Sequence, residues 1–158
     1  MNQYGTRALQ KLLDLITLDK NFEVLKDNLI NHILTLIFDQ NGNHVVQKLL
    51  TIFPKNKNQF IFDEINKNIL EISKTQKGGV ILSLAISFAS ESQRNKLFAE
   101  IVKHVDKLIN DAYGNFIIQT VFLTKIDEFN NRIFDYVKRN IVNLSKDKFA
   151  SHVIDKVS

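Results

Sequence analysis

Cysteine is absent from this 158-residue chain. That excludes disulfides, thiolate metal sites and cysteine nucleophiles, and it fits a reducing compartment. Proline occurs once, at Pro54, which favours helices over a turn-rich β fold. Long apolar runs are missing too. The most apolar stretch, GGVILSLAISFAS from Gly78 to Ser90, is too short to span a bilayer and carries serines, so it reads as a core helix. The N-terminal MNQYGTRALQ lacks the layout of a signal peptide, and no membrane association is expected. The four histidines show no HxxH or HExxH spacing, and there is no P-loop, no GxSxG and no recurrent carboxylate pair. No metal site, no cofactor and no enzyme are expected on these grounds. The chain is 44% hydrophobic and 24% charged, the balance of a folded soluble domain with enough length for one core. Its net charge of +4 and pI near 9.2 suit a polyanionic partner without arguing for one.

Glycine is also scarce, and its placement is informative. Four of the five glycines fall on the register Gly5, Gly42, Gly78, Gly114, which Ala150 completes with steps of 37, 36, 36 and 36. Apolar positions follow the same step. Three residues after each anchor stand Ala8, Val45, Ile81, Ile117 and Val153; four after stand Leu9, Val46, Leu82, Ile118 and Ile154. Together with Leu49, Leu50, Ala85 and Val121 these form one stripe of an amphipathic helix. A second helical set precedes each anchor. It comprises Leu36, Ile72, Leu108 and Leu144 at six before, then Ile33, Ile69, Val105 and Ile141 at nine before. Leu29, Ile65, Ile101 and Val137 follow at thirteen before, and Phe62, Phe98 and Phe134 at sixteen, where Lys26 breaks the pattern. Each unit is thus an antecedent helical segment, a short turn, and a second helix starting near the anchor. A unit this small cannot bury its stripe alone, so the units must stack into an all-α solenoid. The anchor glycine is expected to let the turn approach its neighbour closely. Residues 1–158 are read as a single repeat domain on these five anchors.

The second helix of each unit also has a face outside the apolar stripe. One residue after the anchor it carries Thr6, Asn43, Gly79, Asn115 and Ser151, and five after it carries Gln10, Gln47, Ser83, Gln119 and Asp155. These positions are four apart and share a helical face. Between them lie Arg7, His44, Val80, Phe116 and His152. Amides and hydroxyls bond base edges, while Arg, His and Phe stack on base faces, so the stacked helices suit a strand of unpaired bases, one per unit. A generic solvated face would favour Lys, Glu and Arg in no fixed order. The unit at Gly78 departs from the pattern, since Gly79, Val80 and Ser83 offer neither an amide nor a flat ring. Lys11, Lys48 and Lys156 follow the reading positions and fit either phosphate neutralisation or a solvated surface.

The segments YGTRALQK, NGNHVVQK, YGNFIIQT and KFASHVIDK resemble the RNA-reading helices of Pumilio (PUF) repeats. The resemblance covers essentially the whole chain, and the five units are similar to the third to seventh of that family's eight. The first unit lacks its antecedent helix and the last stops inside its reading helix, which leaves a fragment and a natural truncation both open. The resemblance implies a curved superhelix of ~36-residue repeats with the reading residues on its concave side. It implies that Asn43/Gln47 and Asn115/Gln119 each read uracil, Thr6/Gln10 adenine, and Ser151/Asp155 guanine, Asp155 standing where the family has Glu. Arg7, His44, Phe116 and His152 would stack between bases, and the Gly79 unit would read its base poorly. Family members bind RNA antiparallel, so the expected core is 5′-GUNUA-3′. The implied role is control of mRNA translation or decay through 3′ untranslated elements, with protein effectors, in the cytoplasm or alternatively the nucleus or nucleolus. The alternative is a helical scaffold for protein interaction or ribosome assembly with little base selectivity. Exposed solenoid ends are expected to favour self-association.

Overall fold

The computed structural model describes Arg7 and residues 22–157. The first helix is α1 (Phe22–Leu29), continued by a 3-10 turn (Ile30–His32) into α2 (Ile33–Phe38). There follow α3 (Gly42–Ile52), α4 (Gln59–Lys67), α5 (Ile69–Ser73), α6 (Gln76–Phe88), α7 (Glu91–Lys103) and α8 (Val105–Leu108). The series ends with α9 (Gly114–Leu123), α10 (Asp127–Leu144) and α11 (Ala150–Val157). No strand occurs among the described residues. The helices α3, α6, α9 and α11 pack side by side in chain order, and α4, α7 and α10 do the same behind them.

The apolar stripe expected from the sequence is the seam between these layers. Val45, Val46, Leu49, Ile81, Leu82, Ala85, Ile118, Val121 and Val153 are all fully buried. Each Val, Leu or Ile among them contributes about 1.5–3 kcal/mol on leaving water, and because the stripe is shared between neighbouring units no unit holds its fold alone.

The antecedent segment differs from its expected form. In three units it is two helices, broken at His32, Asn68 and His104, ten residues before the anchor. At Asn68 and His104 the backbone leaves the helical region, with φ −117° and ψ 21° and with φ −107° and ψ 19°. Asn68 Nδ2 donates back to Glu64 O at 2.9 Å, but Asn140 Nδ2 makes the same bond to Tyr136 O at 2.9 Å, so this bond does not by itself break a helix. In the last unit Asn140 holds the same register but remains inside α10, which runs unbroken.

The anchor glycines have a steric cause. A Cβ at Gly78 would lie 1.9 Å from Ile72 O, at Gly114 2.8 Å from Leu108 O, and at Gly42 2.9 Å from Leu36 Cδ2. At Gly78 and Gly114 the obstacle is a backbone carbonyl and only hydrogen fits; at Gly42 it is a side-chain methyl, and the last second helix accommodates Ala150 at this position. No described glycine has positive φ, so closeness and not backbone handedness is the requirement.

Phe134 is 46% exposed and Ile141 41%, whereas Phe62, Phe98 and Ile69, the same positions in earlier units, are buried. The earlier side chains are covered by the next unit's antecedent helix, α7 over α4 and α10 over α7. No described helix covers α10 in that way.

Candidate nucleic-acid interface

Each second helix begins on a side-chain cap that the repeat analysis passed over. Asp39 Oδ1 accepts from the N–H of Asn41 (2.9 Å) and Gly42 (2.5 Å). Asp111 Oδ1 accepts from Tyr113 (2.9 Å) and Gly114 (2.8 Å), and Asp147 Oδ1 from Phe149 (2.9 Å) and Ala150 (2.8 Å). In the remaining described unit Thr75 Oγ1 accepts from Gly78 N at 3.0 Å. These oxygens satisfy donors that a helix start leaves open. The signal was available in the sequence as Asp, Thr, Asp, Asp three residues before the last four anchors. The N–H groups of Gly42 and Asn41 hold the Asp39 carboxyl below the usual carboxylate range.

The amide pairs are built on these caps, in a form the sequence did not suggest. Asn43 and Asn115 were expected on the unpacked face; both are buried, Asn115 completely. Asn115 Nδ2 donates to Asp111 O (2.8 Å) and Ala112 O (3.1 Å), and Asn43 Nδ2 to Asp39 O (3.0 Å) and Gln40 O (3.1 Å). The asparagine oxygen then accepts from the glutamine one turn on: Gln47 Nε2 to Asn43 Oδ1 at 2.8 Å and Gln119 Nε2 to Asn115 Oδ1 at 3.0 Å. Both glutamines are half-buried. A carboxamide has two N–H donors and one carbonyl. Each glutamine therefore keeps one N–H and its Oε1 for an outside partner, while each asparagine has its N–H donors engaged in the turn. The physical reason is the position: one residue after the anchor, a short amide falls back onto the carbonyls of the turn it has just left.

The flat residues lie outermost. His44, Phe116 and His152 are exposed, Phe116 at 58%. A cleft of about 340 Å³ between α9 and α11 brings together Phe116, Gln119, His152, Asp155 and Lys156, residues that the sequence reading assigned to two different units. Ser151 is half-buried and its hydroxyl donates to Lys148 O at 2.9 Å; Asp155 and Lys156 are exposed, and Lys48 is half-buried. Arg7 is helical and exposed; Thr6, Gln10 and Lys11 lie outside the described residues. In α6 the departure read from the sequence persists. Val80 is 47% exposed and Ser83 Oγ donates to its own helix, at Gly79 O, 2.9 Å.

Sequence reasoning also missed Tyr113. It is 44% exposed and lines a second cleft, between α6 and α9, with Phe116. The residue before the anchor is Tyr4, Tyr113 or Phe149 in three of the five units, and that recurrence was the available signal. Among the described residues no three His, Asp or Glu side chains are grouped to hold a metal ion, and no helix is long and apolar enough to cross a membrane.

A model of the "Pumilio-family RNA binding repeat" matches residues 1–25, 32–65, 85–102 and 140–157, more than half of the chain. A Pumilio domain-containing protein of Schizosaccharomyces pombe is 44% identical over 64 residues, 40% of this chain and 9% of that protein. The suppressor protein MPT5 of Saccharomyces cerevisiae is 39% identical over 71 residues, 41% of this chain and 8% of its own length. Among solved structures, the Puf4 RNA binding domain bound to the HO endonuclease RNA 3′ UTR recognition sequence superposes with TM-score 0.87 at 34% identity, over 98% of this chain and 49% of that one. The RNA-binding domain of yeast Puf5p bound to MFA2 RNA does so with TM-score 0.87 at 36% identity, over 99% and 45%. The chain thus spans about half the length of the solved domains it resembles.

Proposed function

Because the chain belongs to the Pumilio family of RNA-binding repeats, we propose that it binds single-stranded RNA with base selectivity along the wall of α3, α6, α9 and α11. The expected core is 5′-GUNUA-3′, and the role is control of mRNA translation or decay from 3′ untranslated elements, in the cytoplasm. The observation that carries the reading is the repeated asparagine-held glutamine, Gln47 on Asn43 and Gln119 on Asn115.

The geometry supplies a mechanism. Uracil presents a carbonyl acceptor beside the N3–H donor. A glutamine with one free N–H and a free Oε1 complements that pair. Cytosine presents the reverse polarity, N4–H beside an N3 acceptor, and would need the amide turned over. Turning it over would place Oε1 against Asn Oδ1, two acceptors face to face without a proton between them. Asparagine thereby acts as a positioning residue and glutamine as the contact. At the terminal unit, Asp155 beside His152 offers a carboxylate to the adjacent N1–H and N2–H of guanine, and Lys156 lies in the same cleft for phosphate. Rising salt should weaken binding in proportion to the phosphates neutralised.

Fluorescence anisotropy on short RNAs tests the reading. Exchanging either U of GUNUA for C should cost about 1–3 kcal/mol. Uniform affinity across sequences would replace this reading with the second one, a PUF-like scaffold. That second reading is favoured by the apolar surface of α10, where Phe134, Ile141 and Val142 are 46%, 41% and 65% exposed. These residues fit a protein partner or a second copy of the chain, which light scattering at rising concentration distinguishes. Absence of any RNA binding would defeat the proposal.

A further inference from the structure

The unit that lacks a reading pair is not featureless. Between α6 and α9 lies a cleft of about 440 Å³ whose sides include Gly79, Val80, Ser83, Tyr113 and Phe116. Its lining is mostly carbon, and the rings of Tyr113 and Phe116 stand on one side, 44% and 58% exposed. The cleft exists because the α6 side chains are small: a Cβ built at Gly79 meets nothing within 4 Å. Its Ser and Thr hydroxyls donate to main chain. Ser83 Oγ donates to Gly79 O (2.9 Å), Ser87 Oγ to Ser83 O (2.9 Å), Thr120 Oγ1 to Phe116 O (2.8 Å) and Thr75 Oγ1 to Ile72 O (3.1 Å). Each of these four protons is engaged by main chain, which leaves the Tyr113 phenol and the Gln76 amide as the polar side-chain donors on the lining.

We propose that this cleft is an edge-blind base slot, which takes the base at N of GUNUA by its faces and volume and prefers a purine without distinguishing its exocyclic groups. The inference rests on the RNA-binding reading above. The occupant follows from continuity: α6 stands between α3 and α9 in the wall, so a strand that meets both Gln47 and Gln119 must cross it. An aromatic side and an apolar floor attract any base through stacking and burial, and a purine offers the larger face. Discrimination by edge needs directed donors and acceptors, which the neighbouring cleft has in Gln119 and Asp155 and this one largely lacks.

The test is an affinity series on GUNUA RNAs that differ only at N: adenosine, purine riboside (which lacks the exocyclic amine), uridine and an abasic ribose. Adenosine and purine riboside should bind within about twofold of each other, uridine more weakly, and the abasic RNA roughly tenfold more weakly than adenosine. Gly79→Leu places a side chain in the open space and should collapse the adenosine-to-abasic difference; circular dichroism checks that α6 is retained. Equal binding of abasic and adenosine RNAs overturns the slot. So does purine riboside falling to the abasic level, since the edge is then being read, or a Gly79→Leu protein that keeps the full difference. The same series includes C in place of the U that faces Gln119. Sensitivity there with indifference at N sinks the slot alone, whereas indifference at both positions sinks the RNA reading with it.

Discussion

In α6 the buried stripe is Ile81, Leu82 and Ala85; in α9 the same positions hold Ile117, Ile118 and Val121. Both helices start on a side-chain oxygen three residues before a glycine that admits no Cβ, Thr75 before Gly78 and Asp111 before Gly114. Yet the face of α9 presents Phe116 and a held Gln119, while that of α6 presents Val80 and a serine bonded to its own backbone. Scaffold and outward surface are therefore separable. The stripe and the anchor are constrained by contacts on several sides. The outward positions have fewer neighbours, Val80 at 47% and Phe116 at 58% exposed, and can change without disturbing the stack.

That separation can be broken most severely at the anchor. Gly78→Ala drives a methyl into Ile72 O, which lies 1.9 Å from the ideal Cβ position; a loss of about 3 kcal/mol is expected for such overpacking. The adjacent Gly79→Ala meets open space and should stabilise α6 by about 0.5–1 kcal/mol through helix propensity. Urea unfolding of the two variants checks both signs. Two glycines that are neighbours in sequence should thus respond in opposite directions.

Next in size is the exchange of surfaces. Gln119→Ser gives α9 the residue that α6 carries, and should remove the U-over-C preference at that unit with a loss of about 1–3 kcal/mol in RNA binding. The reverse graft, Gly79→Cys with Val80→Arg and Ser83→Gln, should give α6 an edge reader and strengthen GUAUA by about 1 kcal/mol or more. No gain would mean that the strand bypasses this unit. Isothermal titration with the two RNAs measures each change.

Smaller still is the cap. Asp111→Ala leaves Tyr113 N and Gly114 N without a side-chain acceptor, and should cost about 1 kcal/mol of stability. Finer again is its pH dependence. The folded-state pKa of Asp39 lies below its unfolded value, because Gly42 and Asn41 donate to the carboxylate. Its contribution is therefore complete above the unfolded pKa and is lost as pH falls through the folded one. Thr75 has no carboxyl to protonate. Urea midpoints followed into acid should flatten in Asp39→Asn and remain unchanged in slope in Thr75→Ser.

Much of this was legible because periodicity survives stacking. A 36-residue step in glycine and in two apolar sets predicts helices, their pairing and their neighbours, since each unit must bury its stripe against the next. The departure at Gly79, Val80 and Ser83 was legible for the same reason, as a break in a register. The depth of Asn43 and Asn115 was not. A helical wheel places them beside Gln47 and Gln119, but cannot tell whether an amide points to solvent or folds onto the turn before it. Nor could spacing distinguish Asn68, where the antecedent helix breaks, from Asn140, where it does not.

The sequence by itself determined the all-α repeat, the buried stripe, the row of outward positions and the unit where that row fails, because these depend on spacing along one helix. Only the tertiary structure decided that asparagine holds and glutamine presents, and that Phe116 and His152 share one cleft while Phe116 and Tyr113 line another. It alone left Phe134 and Ile141 uncovered. Those outcomes depend on the distance from a side chain to a turn or to a neighbouring unit, and local spacing carries no measure of that distance.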